Sequence, residues 1–367
     1  MGAAALPLFT EPDRALASLE AGAQHAELPA APVGMSAANK RAAQLASDSP
    51  YVRATFARSF ALAETIGDRH LRGSALNALS NAQPLYMRKY PTVESRTELR
   101  DALARANLVA ADANVSGIFP LLSDIGEAQP FWSAPGSDGN GHHAYPGGLV
   151  THELFNARCA DELSRSYDTQ YFDSARAVDR DMVITAAFYH DLMKTVVFQY
   201  NDAGTLFDEL TIAGTGAHHV LSGAEAIVRG ESPRLVAILL SAHAAPSLGD
   251  EAKVVAWCRA AAMIAGVDPV HYGLLRPSDG SYALAFRPPI ECFVSHLSDH
   301  DYVLSIHAAR EVSQMLAQIA PQFGKSANAE TLNWWRLRIR CQIPDITLYH
   351  ELAKSEDAFV AAVKRLS

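Results

Sequence analysis

Cysteine is scarce in this chain of 367 residues: Cys159, Cys258, Cys292 and Cys341 lie far apart, with no C-x-x-C pair. That leaves no footing for a disulfide framework or a thiolate zinc site, and a reducing compartment fits best. No run of about 18 apolar residues exists, so neither a transmembrane helix nor a membrane partner is expected. Basic excess is missing too. Thirty-one Lys and Arg against 40 Asp and Glu leave a net charge of −9, and no dense Lys/Arg run offsets it. The broad electropositive footprint of a duplex-DNA binder is therefore absent, and a small phosphorylated substrate suits the charge better. A homo-oligomer stays open. No G-x-x-x-x-G-K-[ST] and no G-x-S-x-G segment occurs, so neither a phosphate-cradling P-loop nor a nucleophile elbow is indicated. Met1 to Thr10 has the look of the tail of a secretory h-region, without a charged n-region or a clear cleavage site. A cytoplasmic protein is expected, with export an option only if the natural start lies upstream.

What is present is apolar material. With 49% hydrophobic and 19% charged residues, the chain can fill a large core, and its length exceeds one average domain. Residues 1–50, rich in Ala and Pro, read as an N-terminal arm without chemistry. Residues 51–130 form an accessory helical region, because Val52, Phe56, Phe60, Leu62 and Ile66 recur at helical spacing. A Gly/Pro-rich loop over 133–148 leads into the main helical domain, 131–320. There the pattern predicts helices over 149–165, 179–200, 219–229, 233–243, 251–265 and 290–318, with Ser232 and Pro233 as cap and first-turn residue of the fourth. The Ser-Asp-Gly turn between apolar arms in 272–286 predicts a small β-hairpin. Residues 321–367 are expected to pack on the core as a C-terminal extension. Trp334, Trp335 and the alternating Arg336, Arg338 and Arg340 there suit an edge strand or a basic amphipathic helix. The fold class is all-α.

Chemistry concentrates at His190-Asp191, inside Met182-Val-Ile-Thr-Ala-Ala-Phe-Tyr-His-Asp-Leu-Met-Lys-Thr-Val-Val197. Apolar residues cover nearly every face of this segment, and an ionised carboxylate buried there without a partner costs several kcal/mol or more. A backbone-bonded His–Asp pair would satisfy that dipeptide taken alone. Further histidines, His152, His219 and His243, sit in separate apolar helical segments, and as a set they favour a divalent cation, which carboxylate oxygen and imidazole nitrogen both ligate. Lys194 follows Asp191 by three residues and His190 by four, so on a helix all three share one side. An ammonium there would hold a substrate phosphate. His142 and His143, on the glycine-rich loop, either contact substrate or decorate the loop.

From about residue 142 to 300, the sequence resembles the HD superfamily of metal-dependent phosphohydrolases. In that resemblance His152 matches the first ligand, and His190 and Asp191 the signature pair. His219 matches the His that stands four before a small Gly223-Ala224 step, and His243 the second His of a frequent His-His pair. Position 242 is Ala where dinuclear members often carry the first His of that pair. For the final Asp the choice is Asp299 over Asp268, with His296 one turn before it. The phrase His142-His-Ala-Tyr-Pro-Gly-Gly-Leu-Val-Thr-His152 is similar to the branch that includes bacterial 3′-to-5′ exoribonucleases.

The resemblance implies an all-α HD-domain bundle over 131–320, with additional N-terminal helices and a small β-hairpin insertion. It implies one or two divalent ions, from among Mn, Fe, Zn, Ni and Mg, held by His152, His190, Asp191, His219, His243 and Asp299. The implied activity is hydrolysis of a phosphate ester in a nucleotide or other small phosphorylated compound, with Asp191 and Lys194 catalytic and Lys194 and His143 binding substrate. Two alternatives use nearly the same residues: a di-iron oxygenase resembling myo-inositol oxygenase, and a catalytically inactive regulatory protein that binds a nucleotide.

Overall fold

The protein is seen as a computed structural model that describes residues 27–118, 127–139, 141–173, 176–325 and 328–366. The arm expected over 1–50 falls outside the described residues for 1–26. From residue 37 onwards that segment is helical and belongs to the core: α1 (Ala37–Ser47) buries Ala43 and Ala46 in the main hydrophobic cluster.

The chain is an all-α bundle. Helices α2 (Pro50–Glu64), α3 (Arg69–Ser80) and α4 (Val93–Arg105) precede the central elements α5 (Gly148–Tyr171), α6 (Arg180–His190) and α7 (Lys194–Val197). There follow α8 (Ala217–Val228), α9 (Pro233–Leu240), α10 (Glu251–Ala265), α11 (Ile290–Ser298) and α12 (Tyr302–Ile319). The chain closes with α13 (Ala329–Gln342), α14 (Asp345–Lys354) and α15 (Glu356–Lys364). The starts are written locally. Ser49 and Ser232 each accept a backbone N–H two or three residues into a helix that opens with proline, Val52 at 3.1 Å and Leu235 at 3.2 Å.

Two of the expected helices are broken. The segment 179–200 stops at His190, turns through Asp191 to Met193 and resumes as the single turn α7. The segment 290–318 stops at Ser298, passes through a 3₁₀ turn, Asp299–Asp301, and resumes as α12. Neither break carries proline or glycine, so hydrophobic period alone runs straight through both. The first is pinned from outside, since Ser222 on α8 accepts the Met193 N–H at 3.0 Å.

The hairpin forms as expected. Strands β3 (Leu275–Ser278) and β4 (Ser281–Leu284) pair antiparallel, and Asp279 and Gly280 take the positive φ of 45° and 76° that a two-residue turn of the I′ kind needs. An unforeseen pair, β1 (Thr211–Ile212) with β2 (Thr215–Gly216), turns at Ala213 and Gly214 directly before α8. The tail takes the helical option, and Trp334 donates its indole N–H to the carbonyl of Asp202 at 2.9 Å.

One large apolar cluster unites helices from α1 to α11, Met35 to Cys292, and takes in Cys341 of α13. A second, from Val312 to Val363, is built by α12 to α15 among themselves. All four cysteines are free thiols. No helix among the described residues is long and apolar enough to cross a membrane.

Candidate metal centre

Helix ends build the centre. His190 is the last residue of α6 and Asp191 its C-cap; Asp299 is the C-cap of α11; His243 lies just past the end of α9. Carbonyl-rich, partly negative C-termini thus converge, an arrangement that favours cations. His152, early in α5, and His218, near the start of α8, face the same region. The breaks after His190 and Ser298 have a use here. They turn both aspartates out of their helices and towards the imidazoles.

The inner ligand atoms are close. His152 Nε2 lies 3.2 Å from Asp191 Oδ2 and 3.1 Å from Asp299 Oδ1, and His190 Nε2 lies 3.3 and 3.5 Å from the same two oxygens. For bonds of about 2.1 Å to a common cation, donors in a tetrahedral or octahedral shell stand roughly 3.0 to 3.4 Å apart. Each of the two imidazoles stands at or within about 0.1 Å of that spacing from both carboxylates, and the sets close enough to share one ion are His152, His190 and Asp299 on one side and His190, Asp191 and His243 on the other. His190 Nε2 and Asp191 Oδ1 are buried without a hydrogen-bond partner among the described residues, while Asp191 Oδ2 has the Lys194 ammonium against it. Atoms this near that do not bond one another are aimed at a common point. These buried His/Asp groups can hold a metal ion.

A second pair of imidazoles lies on the outer side of the same carboxylates. His218 Nε2 is 3.2 Å from Asp191 Oδ1, and His243 Nε2 is 3.8 Å from Asp299 Oδ2. Partners behind the rings set which nitrogen faces inward. His190 Nδ1 donates to the Ala187 carbonyl at 2.9 Å, with Glu153 Oε2 at 3.2 Å, which leaves Nε2 as the free lone pair. His218 Nδ1 is held by Glu209 in the same manner. Asn156, one turn after His152, donates to Asp299 Oδ1 at 3.1 Å and ties the two sides together.

Glu153, Asp191 and Asp299 are buried with only one buried ammonium, Lys194, among them. With all three carboxylates ionised and the histidines neutral, three negative charges minus one positive leave −2, and burial pushes the Glu153 carboxyl up. The cluster therefore draws protons. Burial depresses the His190 pKa, but the Asp191 and Glu153 carboxylates outweigh it and hold it well above the usual value. His218 behaves alike: burial is outweighed by Glu209 and Asp191, and its pKa rises to about 9. Burial likewise works to raise the Asp191 pKa, yet the charges of His190, Lys194 and His218 keep it well below the ordinary carboxylate range. A divalent cation supplies the same compensation and leaves the imidazoles neutral.

His152, His190, Asp191, Lys194, His243 and Asp299, all expected from sequence, are brought together. Lys194 is buried, its ammonium on the Asp191 carboxylate and the Gly136 carbonyl. His143 is buried beside them, Nδ1 3.2 Å from the Tyr145 hydroxyl and Nε2 3.5 Å from Asp301. His219 is placed differently. Its Nε2 meets the Leu240 carbonyl at 3.0 Å and its ring stacks on His243 at 3.9 Å, so it braces that histidine while His218 faces Asp191. Adjacent helix residues diverge by about 100°, and nothing in the sequence says which of the two looks inward. Asp268, the alternative final aspartate, instead accepts the backbone N–H groups of Val270 and His271, at 3.0 and 2.7 Å, in a surface turn. Glu153, Asn156, Glu209 and His218 were not foreseen. Only Asn156 left a trace, its spacing of four from His152 on one helix face.

No family model matches the chain, and no solved structure matches it. A stretch of 150 residues, 40% of this chain, is 28% identical to the dihydroneopterin 2',3'-cyclic phosphate phosphodiesterase of Methanocaldococcus jannaschii. The match spans 55% of that protein's length. Over part of its length, then, this chain is similar to a phosphodiesterase and carries a buried cluster of histidines and aspartates able to hold a metal ion.

Proposed function

We propose that this protein is a metal-dependent phosphohydrolase of the HD type, cleaving a phosphate ester in a nucleotide or another small phosphorylated compound. The observation that carries the reading is the convergence of His152, His190, Asp191 and Asp299 at ligand-shell spacing, with the Lys194 ammonium against Asp191. The similarity to a phosphodiesterase supports the reaction class.

In this reading His152, His190 and Asp299 would hold one divalent cation, and Asp191 and His243, with His218 beside them, would offer donors for a second. Such a cation, when bound, acidifies a water and polarises a phosphoryl oxygen. The protein's own groups do the rest. Lys194, already desolvated, opposes the charge that develops on the phosphoryl oxygens. Asp191, with both oxygens turned to the imidazoles and its pKa held well below the ordinary range, would serve the reaction as a ligand. Glu153, Glu209 and Asn156 hold the ligands in register, so no reorganisation is needed as charge moves. His219 is left out of the ligand set, and His143 stands at the substrate side of the cluster.

Four imidazoles with two carboxylates also suit iron, which keeps a di-iron oxygenase as the second reading. Lys194 favours the hydrolase, because a buried ammonium beside the centre answers a phosphate and has no evident task with dioxygen. The deciding experiment is elemental analysis of the purified protein, with hydrolysis of bis-p-nitrophenyl phosphate under added Mn²⁺ and oxygen uptake by the iron-loaded form. Bound transition metal with diester hydrolysis is expected. A protein that binds no divalent cation at neutral pH would sink the proposal, and oxygen uptake without hydrolysis would turn it to the second reading.

A further inference from the structure

His152 has a nitrogen that the centre does not use. Its Nε2 lies against Asp191 and Asp299, whereas its Nδ1 is buried with no hydrogen-bond partner among the described residues. Two histidines of the glycine-rich loop close on the same ring. The His142 and His143 centroids stand 4.6 and 5.8 Å from that of His152, and 5.3 Å from each other. His142 Nδ1 and His143 Nε2 are likewise buried without a hydrogen-bond partner among the described residues; Asp301 Oδ2, 3.5 Å from the latter, accepts the Ser305 hydroxyl.

A buried polar atom left unsatisfied is costly. Here three such nitrogens belong to three touching rings. One nitrogen from each ring lies within 4.8 Å of the other two, close enough to share an ion, and the set has only His152 in common with the groups of the centre.

The loop that brings two of these rings is held rigid. His143 keeps a left-handed φ of 52°, a conformation a non-glycine residue adopts only where its surroundings impose it. A Cβ on Gly148 would fall 1.7 Å from the His143 carbonyl oxygen, and one on Gly136 2.8 Å from the His143 Cβ. Glycine alone fits at both positions. The Gly136 N–H then closes the loop on the His143 carbonyl at 2.9 Å, and the Tyr145 hydroxyl stands 3.2 Å from His143 Nδ1, behind the free Nε2. A ring oriented from behind in this way is ready to ligate, which lowers the ordering cost of binding.

We propose that His142, His143 and His152 form a further cation site that takes Zn²⁺, separate from the positions at Asp191 and Asp299. Imidazole donors suit zinc, whereas Mg²⁺ and Ca²⁺ demand oxygen. Three protein ligands leave a tetrahedral ion one open position, and the half-buried His142 gives access from solvent. With an ion on each of its nitrogens, His152 gives up its ring proton to solvent. That proton, and the lack of a carboxylate ligand, make this the weaker site, filled under added zinc. The inference does not rest on the hydrolase reading.

The test is equilibrium dialysis of the full chain against Zn²⁺ at neutral pH, with bound zinc counted by elemental analysis, for the wild-type protein and its His142→Ala, His143→Asn, Tyr145→Phe and Asp191→Ala variants. Asparagine tolerates the left-handed φ at position 143. The wild-type protein is expected to take up one zinc more than His142→Ala or His143→Asn. Each of these should weaken that uptake by about 100-fold or more, since an outer partner alone is worth about 10- to 100-fold. Tyr145→Phe, which frees the His143 ring and leaves every ligand in place, should weaken it about tenfold, and it carries the test if a loop variant melts below the wild type. Asp191→Ala should lose the ions of the centre and still take up this one. Equal zinc uptake by the wild-type protein and the loop variants overturns the inference. So does loss of the extra ion from Asp191→Ala, which would assign it to the centre. Diester hydrolysis followed in parallel keeps the two ideas apart. Absent hydrolysis with the extra zinc retained would remove the hydrolase and spare this site; hydrolysis by a protein whose loop variants bind zinc as the wild type does would do the reverse.

Discussion

Arg340 and Asp345 are as deeply buried as His190 and Asp191, yet the two groups are finished in opposite ways. Arg340 donates to Asp345 through two bonds of 2.6 and 2.7 Å, a bidentate fork that uses both carboxylate oxygens, with Tyr145 5.5 Å from the guanidinium. Charge and hydrogen bonding close on themselves. At the centre, His190 Nε2 and Asp191 Oδ1 are buried with no hydrogen-bond partner among the described residues, while Asn156 and Lys194 answer only part of the remaining groups. Burial of charge is common to both and so identifies neither. What separates a structural ion pair from a binding centre is whether the polar atoms are spent on one another.

Single substitutions can break that contrast. The largest effect is expected from Asp191→Ala, which takes the shared carboxylate from both sides of the centre: metal content should collapse and diester hydrolysis fall by roughly a thousandfold. Full metal content in that variant, read by elemental analysis, would dismantle the centre. Arg340→Ala should act on the other quantity. Leaving Asp345 buried and unpaired costs about 3 to 5 kcal/mol of stability in urea titration, while metal content stays at the wild-type level. Should Arg340→Ala lose metal and keep its stability, the two groups have been assigned the wrong way round.

The neighbouring histidines give a sharper comparison. His218→Ala is expected to weaken metal binding about 10- to 100-fold, and Glu209→Gln, which frees the His218 ring, towards the low end of that range. His219→Ala should change metal affinity by less than either, because its ring nitrogen is spent on a carbonyl. The reverse order in a competition titration with a chelator would restore His219 as the ligand. The smallest effect concerns Asp161. Burial works to raise its pKa, but Arg165 and Arg180 outweigh that and hold it below the ordinary 3.8. Its contribution is therefore present above about pH 4 and lost as pH falls through the depressed value. Both arginines are partly exposed, so Asp161→Asn should cost under about 1 kcal/mol at pH 7. The cost should vanish in acid, as melting curves at several pH values would show.

Much of the fold could be read in advance because its signals are local. Helix starts at Ser49-Pro50 and Ser232-Pro233, the Asp279-Gly280 turn and the apolar period of α8 to α10 each depend on a few neighbouring residues. The two helix breaks were invisible for a complementary reason. Asp191 and Asp299 sit in segments whose apolar period runs on with no proline or glycine to stop it, and what turns the first of them is contact with another element, Ser222 on Met193. His152, His190 and Asp191 stood out because polar residues in apolar helices are costly. Glu209, in a polar stretch before a hairpin, carried no such mark, and its task appears only once His218 is beside it.

The residue order alone determined that the chain is helical, that it buries imidazoles and carboxylates which need a partner, and that Lys194 travels with them. Tertiary structure decided which atoms meet: that Asp299 and not Asp268 completes the cluster, that His218 and not its neighbour faces inward, and that Arg340 is spent on Asp345. The reason is geometric. Composition and spacing set what a segment must bury, but the direction of a side chain depends on where other helices end, and those ends are fixed by contacts between residues far apart in the chain.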